Sequence, residues 1–281
     1  MSMLMKSIAR MLPIAIAFGL ALPAAAQDLP PVPDAIKKQG VLKAGIKCDY
    51  PPDGYLDAQG KNKGVEVDLA RQIAAYAFGS PDKIELTCVT AANRIPALQA
   101  GKIDVIIATL GVSAERAQVI DFSDNYAWGG SDILIPKDSQ LKSLKELGGK
   151  TVIVMKGAWQ IGWFEKNVPT ANLLKLDGVS DGLTALLQKR ADAFAHDVDV
   201  LRPISKKNPQ IKLLGEIYQL GFRAAGFRKG ETAWVKYVNA AIAKAKKDGL
   251  VTKWIKANVE TDQHEAVINA WDIAKAPKVS N

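Results

Sequence analysis

Apolar positions along the chain alternate between short unbroken runs and a spacing near 3.6 residues. Residues 41–46 predict a strand, Val65, Leu69, Ile73 and Ala77 share one helical face, and residues 84–89 predict a second strand. Residues 95–100 predict a short helix, with Pro96 in its first turn and Gly101 just past its end. Residues 103–108 form an apolar run of the kind buried on both faces of a parallel sheet. This rhythm predicts an α/β fold in which helices flank mostly parallel sheets.

The helix–turn–strand unit recurs. Leu98-Gln99-Ala100-Gly101-Lys102-Ile103-Asp104-Val105 has an echo in Leu187-Gln188-Lys189-Arg190-Ala191-Asp192-Ala193, and residues 151–155 and 211–214 add strands beside the second copy. Two similar lobes are therefore expected. Residues 128–132, small and polar, predict one crossing between them, and residues 218–221 predict the return. Residues 224–227 then read as a strand followed by a long helix. The expected division is lobe 1 over 27–129, lobe 2 over 130–219, and a return to lobe 1 over 220–281. Two crossings make a hinge.

Ahead of this pattern, Lys6 and Arg10 precede an apolar run, and Ala24-Ala25-Ala26 supplies a small-residue cleavage site. Residues 1–26 thus read as a cleaved secretion signal, too short in its apolar part to span a bilayer permanently. The protein is expected in the periplasm, as a monomer. The formal charge of +8 becomes +6 without Lys6 and Arg10. Lys236, Lys244, Lys246, Lys247, Lys253 and Lys256 read as the solvated face of the late helix, opposite Trp234, Val238, Ala241, Ile242, Leu250 and Trp254. A nucleic-acid surface is not expected. Cys48 and Cys88 each follow a predicted strand, so they form either a disulfide, if those strands are neighbours, or two separate thiols.

Two charges stand just past the ends of apolar strands: Arg116, capped by Ser113 in a first helical turn, and Asp197, about eighty positions later. A guanidinium suits a carboxylate and a carboxylate suits an ammonium, so the pair fits a free amino acid. In open α/β sheets ligands lie outside the carboxyl ends of the strands, where both residues fall. His196, adjacent to Asp197, reads as a buried structural histidine, and His264 lies in a polar tail.

Five motifs follow in order: Asp49-Tyr50-Pro51-Pro52, Gly64-Val65-Glu66-Val67-Asp68-Leu69-Ala70, Arg94-Ile95-Pro96-Ala97-Leu98, Ser113-Ala114-Glu115-Arg116 and Asp121-Phe122-Ser123-Asp124. Over nearly the whole chain beyond residue 26, this resembles bacterial extracellular solute-binding proteins of family 3, the amino-acid-binding components of polar amino-acid ABC importers. The resemblance implies a type II periplasmic-binding fold that closes on one amino acid and docks on a membrane permease. It implies that Arg116 and the Thr109 N–H hold the α-carboxylate, and that the Ala108 carbonyl and Asp197 receive the ammonium. Tyr50 and Gly111 would line the pocket.

Several positions depart from the family's pattern, Ser113 and Asn125 with little consequence for binding. Trp159 stands where a hydroxyl residue usually meets the ligand, so its ring either narrows the pocket or packs outward beside Trp163. Ala91 stands where many relatives place an aromatic wall. Arg94 is placed to fill that gap and favour an acidic or amide side chain; otherwise it forms a salt bridge on the lobe surface. Asp53 stands where Phe often follows the two prolines, either as a polar contact or, more simply, as an exposed loop residue. The expected activity is binding and transport without catalysis and without a cofactor. The alternatives are an exported dehydratase-like enzyme on the same scaffold, or a periplasmic ligand sensor.

Overall fold

The structure, a computed structural model, describes residues 29–277; the secretion signal expected at residues 1–26 lies outside the described residues. One sheet runs in the order Ile84–Cys88, Leu42–Ile46, Val105–Ile107, Gly226–Arg228 and Ile120–Phe122, and in it Gly226–Arg228 runs against the other strands. A second runs Asn172–Leu176, Thr151–Met155, Ala193–Asp197, Ala127–Pro136 and Ile211–Leu213, with Ala127–Pro136 reversed. The chain leaves the first lobe, builds the second, and returns.

The unbroken apolar runs follow from burial on both faces. Successive side chains of a strand point to opposite sides. Val105 and Ile107 accordingly join a core with Leu42, Ile46, Ile73, Val238 and Ile255, whereas Ile106 and Ala108 join another with Val89, Leu98 and Ile103. In the second lobe, Val152 and Val154 pack with Phe164 on one face, and Ile153 and Met155 pack with Leu186 and Leu201 on the other. The late helix expected over one stretch is two, Thr232–Lys247 and Leu250–Asn258, divided at Gly249 in the left-handed region (φ 72°). That break rotates the apolar stripe, so Val251 and Ile255, not Leu250 and Trp254, are the buried residues of the second helix. Lys246 also departs from the solvated face: its ammonium donates to the Tyr126 and Trp271 carbonyls at 2.6 and 2.7 Å.

The crossings are not small polar loops. Residues 128–132 lie inside strand Ala127–Pro136, which pairs antiparallel with Tyr218–Arg223: Ser131 opposes Tyr218, Gly129 opposes Gly221, and Ala127 opposes Arg223. Three steps on one strand match two on the other, so a bulge falls between Tyr218 and Gly221, where Gln219 has φ 49°. The two lobes are therefore joined by a hydrogen-bonded ribbon.

The Leu42–Ile46 and Ile84–Cys88 strands are parallel neighbours, with Ile46 opposite Cys88. Cys48 lies two residues beyond, and its thiol is bridged to Cys88 across a Cα separation of 5.5 Å. Of the two cysteine readings, the bridge is the one found. It anchors the turn that carries Tyr50, whose strand Asp49–Tyr50 pairs with Gly54–Leu56. In the other lobe His196 is buried, its ring 5.0 Å from Tyr50 and 5.7 Å from Phe194, and its Nδ1 accepts the Asp197 N–H at 2.8 Å. Burial pushes this imidazole down to about 4.

Two outcomes are expected. Cys48→Ser removes a cross-link spanning 40 positions, and urea denaturation should show a loss of about 2–4 kcal/mol; reductant should do the same to the wild type and nothing further to the variant. His196 binds its proton in the unfolded chain near pH 6.5 and in the folded one only near 4. Stability should therefore fall as pH drops through that window, by at most about 3 kcal/mol from this residue. Urea melts at pH 7 and pH 5 should show a smaller difference in His196→Asn than in the wild type.

Candidate functional site

The carboxyl ends of both sets of parallel strands open on a cleft between the lobes. Tyr50, Ala91, Arg94, Thr109, Gly111, Arg116, Trp159 and Asp197 line a cavity of about 30 Å³ there, room for about two water molecules. Ala108 is instead fully buried in the lobe 1 core. Lys47, Met155, Ala158, Gln160, Asp177 and His196 complete the wall, and none of them was expected there.

The floor of the cleft is organised by a residue that the sequence reading missed. Arg223, 4% exposed, donates through Nη1 to Asp53 Oδ2 at 2.9 Å and through Nη2 to Asp197 Oδ2 at 3.1 Å, with Asp199 at 3.6 Å. It stands on the hinge ribbon and joins Asp53 of one lobe to Asp197 and Asp199 of the other. Asp53 is thus no exposed loop residue; it is 2% exposed and ion-paired. Three carboxylates share one guanidinium. Burial raises Asp53 and Asp199 despite Arg223, whereas for Asp197 the same burial is outweighed by Arg223 and by donated hydrogen bonds, holding its carboxyl below the usual range. Of the three, Asp197 is the one whose charged form the site favours. A charge inside the apolar run Gly221-Phe222-Arg223-Ala224-Ala225 was the available sequence signal, since buried arginines are paired.

Asp197 is surrounded by donors. Tyr50 Oη and Arg223 Nη2 reach Oδ2; Trp159 Nε1 at 3.0 Å and Gln160 Nε2 at 2.7 Å reach Oδ1. Gln160 Nε2 also reaches Ser131 Oγ at 2.9 Å. The Trp159 ring turns into the cleft: a Cβ at Gly111 would lie 3.2 Å from its Cε3, and one at Gly221 would lie 2.8 Å from its Cη2. Trp163 packs separately against Phe164 and Tyr218.

On the lobe 1 side, the strand end is tied down from beneath. Thr109 has φ 47°, costly for a β-branched residue, and both Glu66 oxygens hold its N–H, at 2.8 and 3.1 Å. Glu66 also accepts the Tyr126 hydroxyl at 2.5 Å. The Thr109 N–H expected to hold a ligand carboxylate is therefore committed inside the lobe. The Ala108 carbonyl expected to receive an ammonium accepts Arg94 Nη1 at 2.6 Å. Arg94 Nη1 also meets the Thr109 carbonyl at 3.2 Å, and its Nε has no partner among the described residues.

Arg94 is 4% exposed and among the described residues has no ion-pair partner, so it is not a lobe-surface salt bridge. Burial, then the charge of Arg116, pushes it down to about 10. Burial also lowers Arg116, which donates to the carbonyls of Gly111 at 2.6 Å and, across the cleft, Gly157 at 3.1 Å. Ser113 caps its helix by accepting the Arg116 N–H at 3.2 Å, as expected. Two mutually repelling guanidiniums thus face the cleft from lobe 1, and one charged carboxylate faces it from lobe 2.

The sequence profile of bacterial extracellular solute-binding proteins, family 3, matches residues 42–259. The chain is 33% identical over 228 residues to the glutamine-binding protein of an ABC transporter from Bacillus subtilis, covering 79% of this chain and 84% of that one. Among solved structures, a solute receptor for L-cysteine from Neisseria gonorrhoeae superposes with a TM-score of 0.80 at 34% identity, covering 86% of this chain and 97% of that one. An ancestral amino-acid-binding protein, described as a precursor of cyclohexadienyl dehydratase, superposes with a TM-score of 0.74 at 28% identity, covering 81% and 99%. These relatives are binding proteins, and the two-lobe α/β architecture is that of the type II periplasmic amino-acid-binding proteins. The chain belongs to the bacterial extracellular solute-binding proteins of family 3.

Proposed function

We propose that this protein captures one polar α-amino acid between its lobes and delivers it to the membrane permease of an ABC importer. The observation that carries the reading is the pair Arg94 and Arg116, facing the cleft without carboxylate partners among the described residues and opposite the charged Asp197. Two close cations in a poorly solvated cleft are relieved by an anion. Arg116 takes the α-carboxylate, for which a guanidinium offers two parallel donors. Arg94 keeps its buried Nε for a side-chain oxygen, which favours an acidic or amide ligand. Asp197 receives the ammonium. Tyr50, Ala91, Thr109, Gly111 and Trp159 shape the space around the ligand.

Closure bends the ribbon at its bulge, close to the lobe boundaries at 129/130 and 219/220. In this reading the protein reaches the periplasm through the signal at residues 1–26, acts as a monomer, and binds and releases its ligand unchanged. Micromolar capture needs about 8 kcal/mol, within reach of a bidentate arginine, a carboxylate–ammonium pair and side-chain burial. The relatives' names, glutamine-binding and L-cysteine-receiving, support a polar amino acid.

Calorimetric titration of the protein with the common amino acids tests this. At least one should bind, and Arg116→Ala and Arg94→Ala should each weaken it by about 30-fold or more, corresponding to about 2 kcal/mol or more for an unpaired buried charge contact. Arg94→Ala should cost aspartate or glutamate more than neutral amino acids. Unchanged binding in both variants would remove the basis for the reading.

A further inference from the structure

A carboxylate offers about four lone-pair directions, and all four on Asp197 are taken. Tyr50 and Arg223 occupy Oδ2, and Trp159 and Gln160 occupy Oδ1. An ammonium that is to reach this oxygen pair must displace a donor. Arg223 cannot leave, because it is buried and also holds Asp53. Gln160 is 2% exposed and bonded to Ser131, and Tyr50 is 3% exposed and packed on His196. Trp159 differs from all three. Its side chain is half-buried and its indole N–H has Asp197 as its partner. Its ring rests against two glycines that put no side chain in its path, Gly111 and Gly221. It also sits at the N-cap of helix Gln160–Asn167 without making a side-chain cap, so moving it costs the helix nothing there.

We infer that Trp159 is a selectivity gate on Asp197: the ligand's α-ammonium replaces the indole N–H on Oδ1, and the ring leaves its glycine slot as the ligand enters. The inference rests on the proposed amino-acid ligand and adds a cost specific to the amino group. An α-amino acid must break the Trp159–Asp197 hydrogen bond, whereas the same acid without its amino group has no reason to. Trp159 therefore lowers affinity for every amino-bearing ligand and admits only those whose ammonium reaches Oδ1 well enough to make up the loss.

The test is calorimetric titration of wild-type protein and Trp159→Phe with the common L-amino acids and their deaminated carboxylic acids, with tryptophan emission followed on the wild type. Trp159→Phe keeps an aromatic ring and deletes the N–H. Affinity for the amino acids should rise roughly tenfold, the loss of about one charge-assisted hydrogen bond, while affinity for the deaminated acids stays within about twofold. Amino acids should change the wild-type emission, and the change should be clearly smaller in Trp159→Phe, in which five of the 6 tryptophans remain to report closure. Equal or weaker amino-acid binding by Trp159→Phe, or an emission change undiminished by the substitution, would overturn the gate while leaving the amino-acid reading intact. Binding of deaminated acids but of no amino acid by either protein would overturn both.

Discussion

The arrangement of the cleft depends on one guanidinium. Arg223 sits on the hinge ribbon where both lobes meet and is the shared partner of Asp53, Asp197 and Asp199. A buried cation with one carboxylate partner is a near-neutral unit, whereas one cation shared by three buried carboxylates cannot offset the burial of all of them equally. Here Asp197 is the one held in its charged form, because Tyr50, Trp159 and Gln160 add donors to it alone. The charge that faces the cleft is thus fixed by the hinge and is not a free property of the lobe 2 strand end. Any bending of the ribbon moves Arg223, and with it the balance between a lobe 1 and a lobe 2 carboxylate. Hinge geometry and ligand electrostatics are therefore coupled through one side chain.

The lobe 1 wall follows a parallel logic with the opposite sign. Glu66, on the first turn of Val65–Phe78, fixes Thr109 in a left-handed backbone, and Arg94 ties the carbonyls of Ala108 and Thr109. The backbone groups at this strand end are consumed inside the lobe, and two arginine side chains face the cleft instead. This arrangement gives Trp159 its importance, since the backbone offers a ligand little at this strand end.

The sequence made the layers of this fold legible because burial on both faces leaves strands as unbroken apolar runs, as at Val105–Ile107 and Thr151–Met155, with amphipathic helices between them. It also placed Asp197 at a strand end and Arg116 in a helix that follows one, and put Cys48 and Cys88 at the ends of strands that prove to be neighbours. Pairings across long separations were not legible. Arg223 meets Asp53 from 170 positions away, and neither residue carries a local signature beyond a charge in unusual company. Gln160 and Lys47 look like ordinary polar residues until the lobes are brought together. The ribbon was not legible for a related reason: Gly129, Gly130 and Gly221 suggest loops one strand at a time, and their pairing appears only across 92 positions, from Gly129 to Gly221. The division of the late helix was visible as Gly249 and was overridden by the continuity of its lysines.

The central claim is that one amino acid lies between the lobes, with its carboxylate on the lobe 1 arginines and its ammonium on Asp197. A crystal structure of the protein grown with the amino acid that binds it most tightly tests this directly. The account predicts a ligand carboxylate within hydrogen-bonding distance of Arg116, a nitrogen within the same distance of Asp197 Oδ1, and the Asp197–Arg223 pair intact beneath. A ligand bound outside the cleft, or one whose amino group faces away from Asp197, would contradict it.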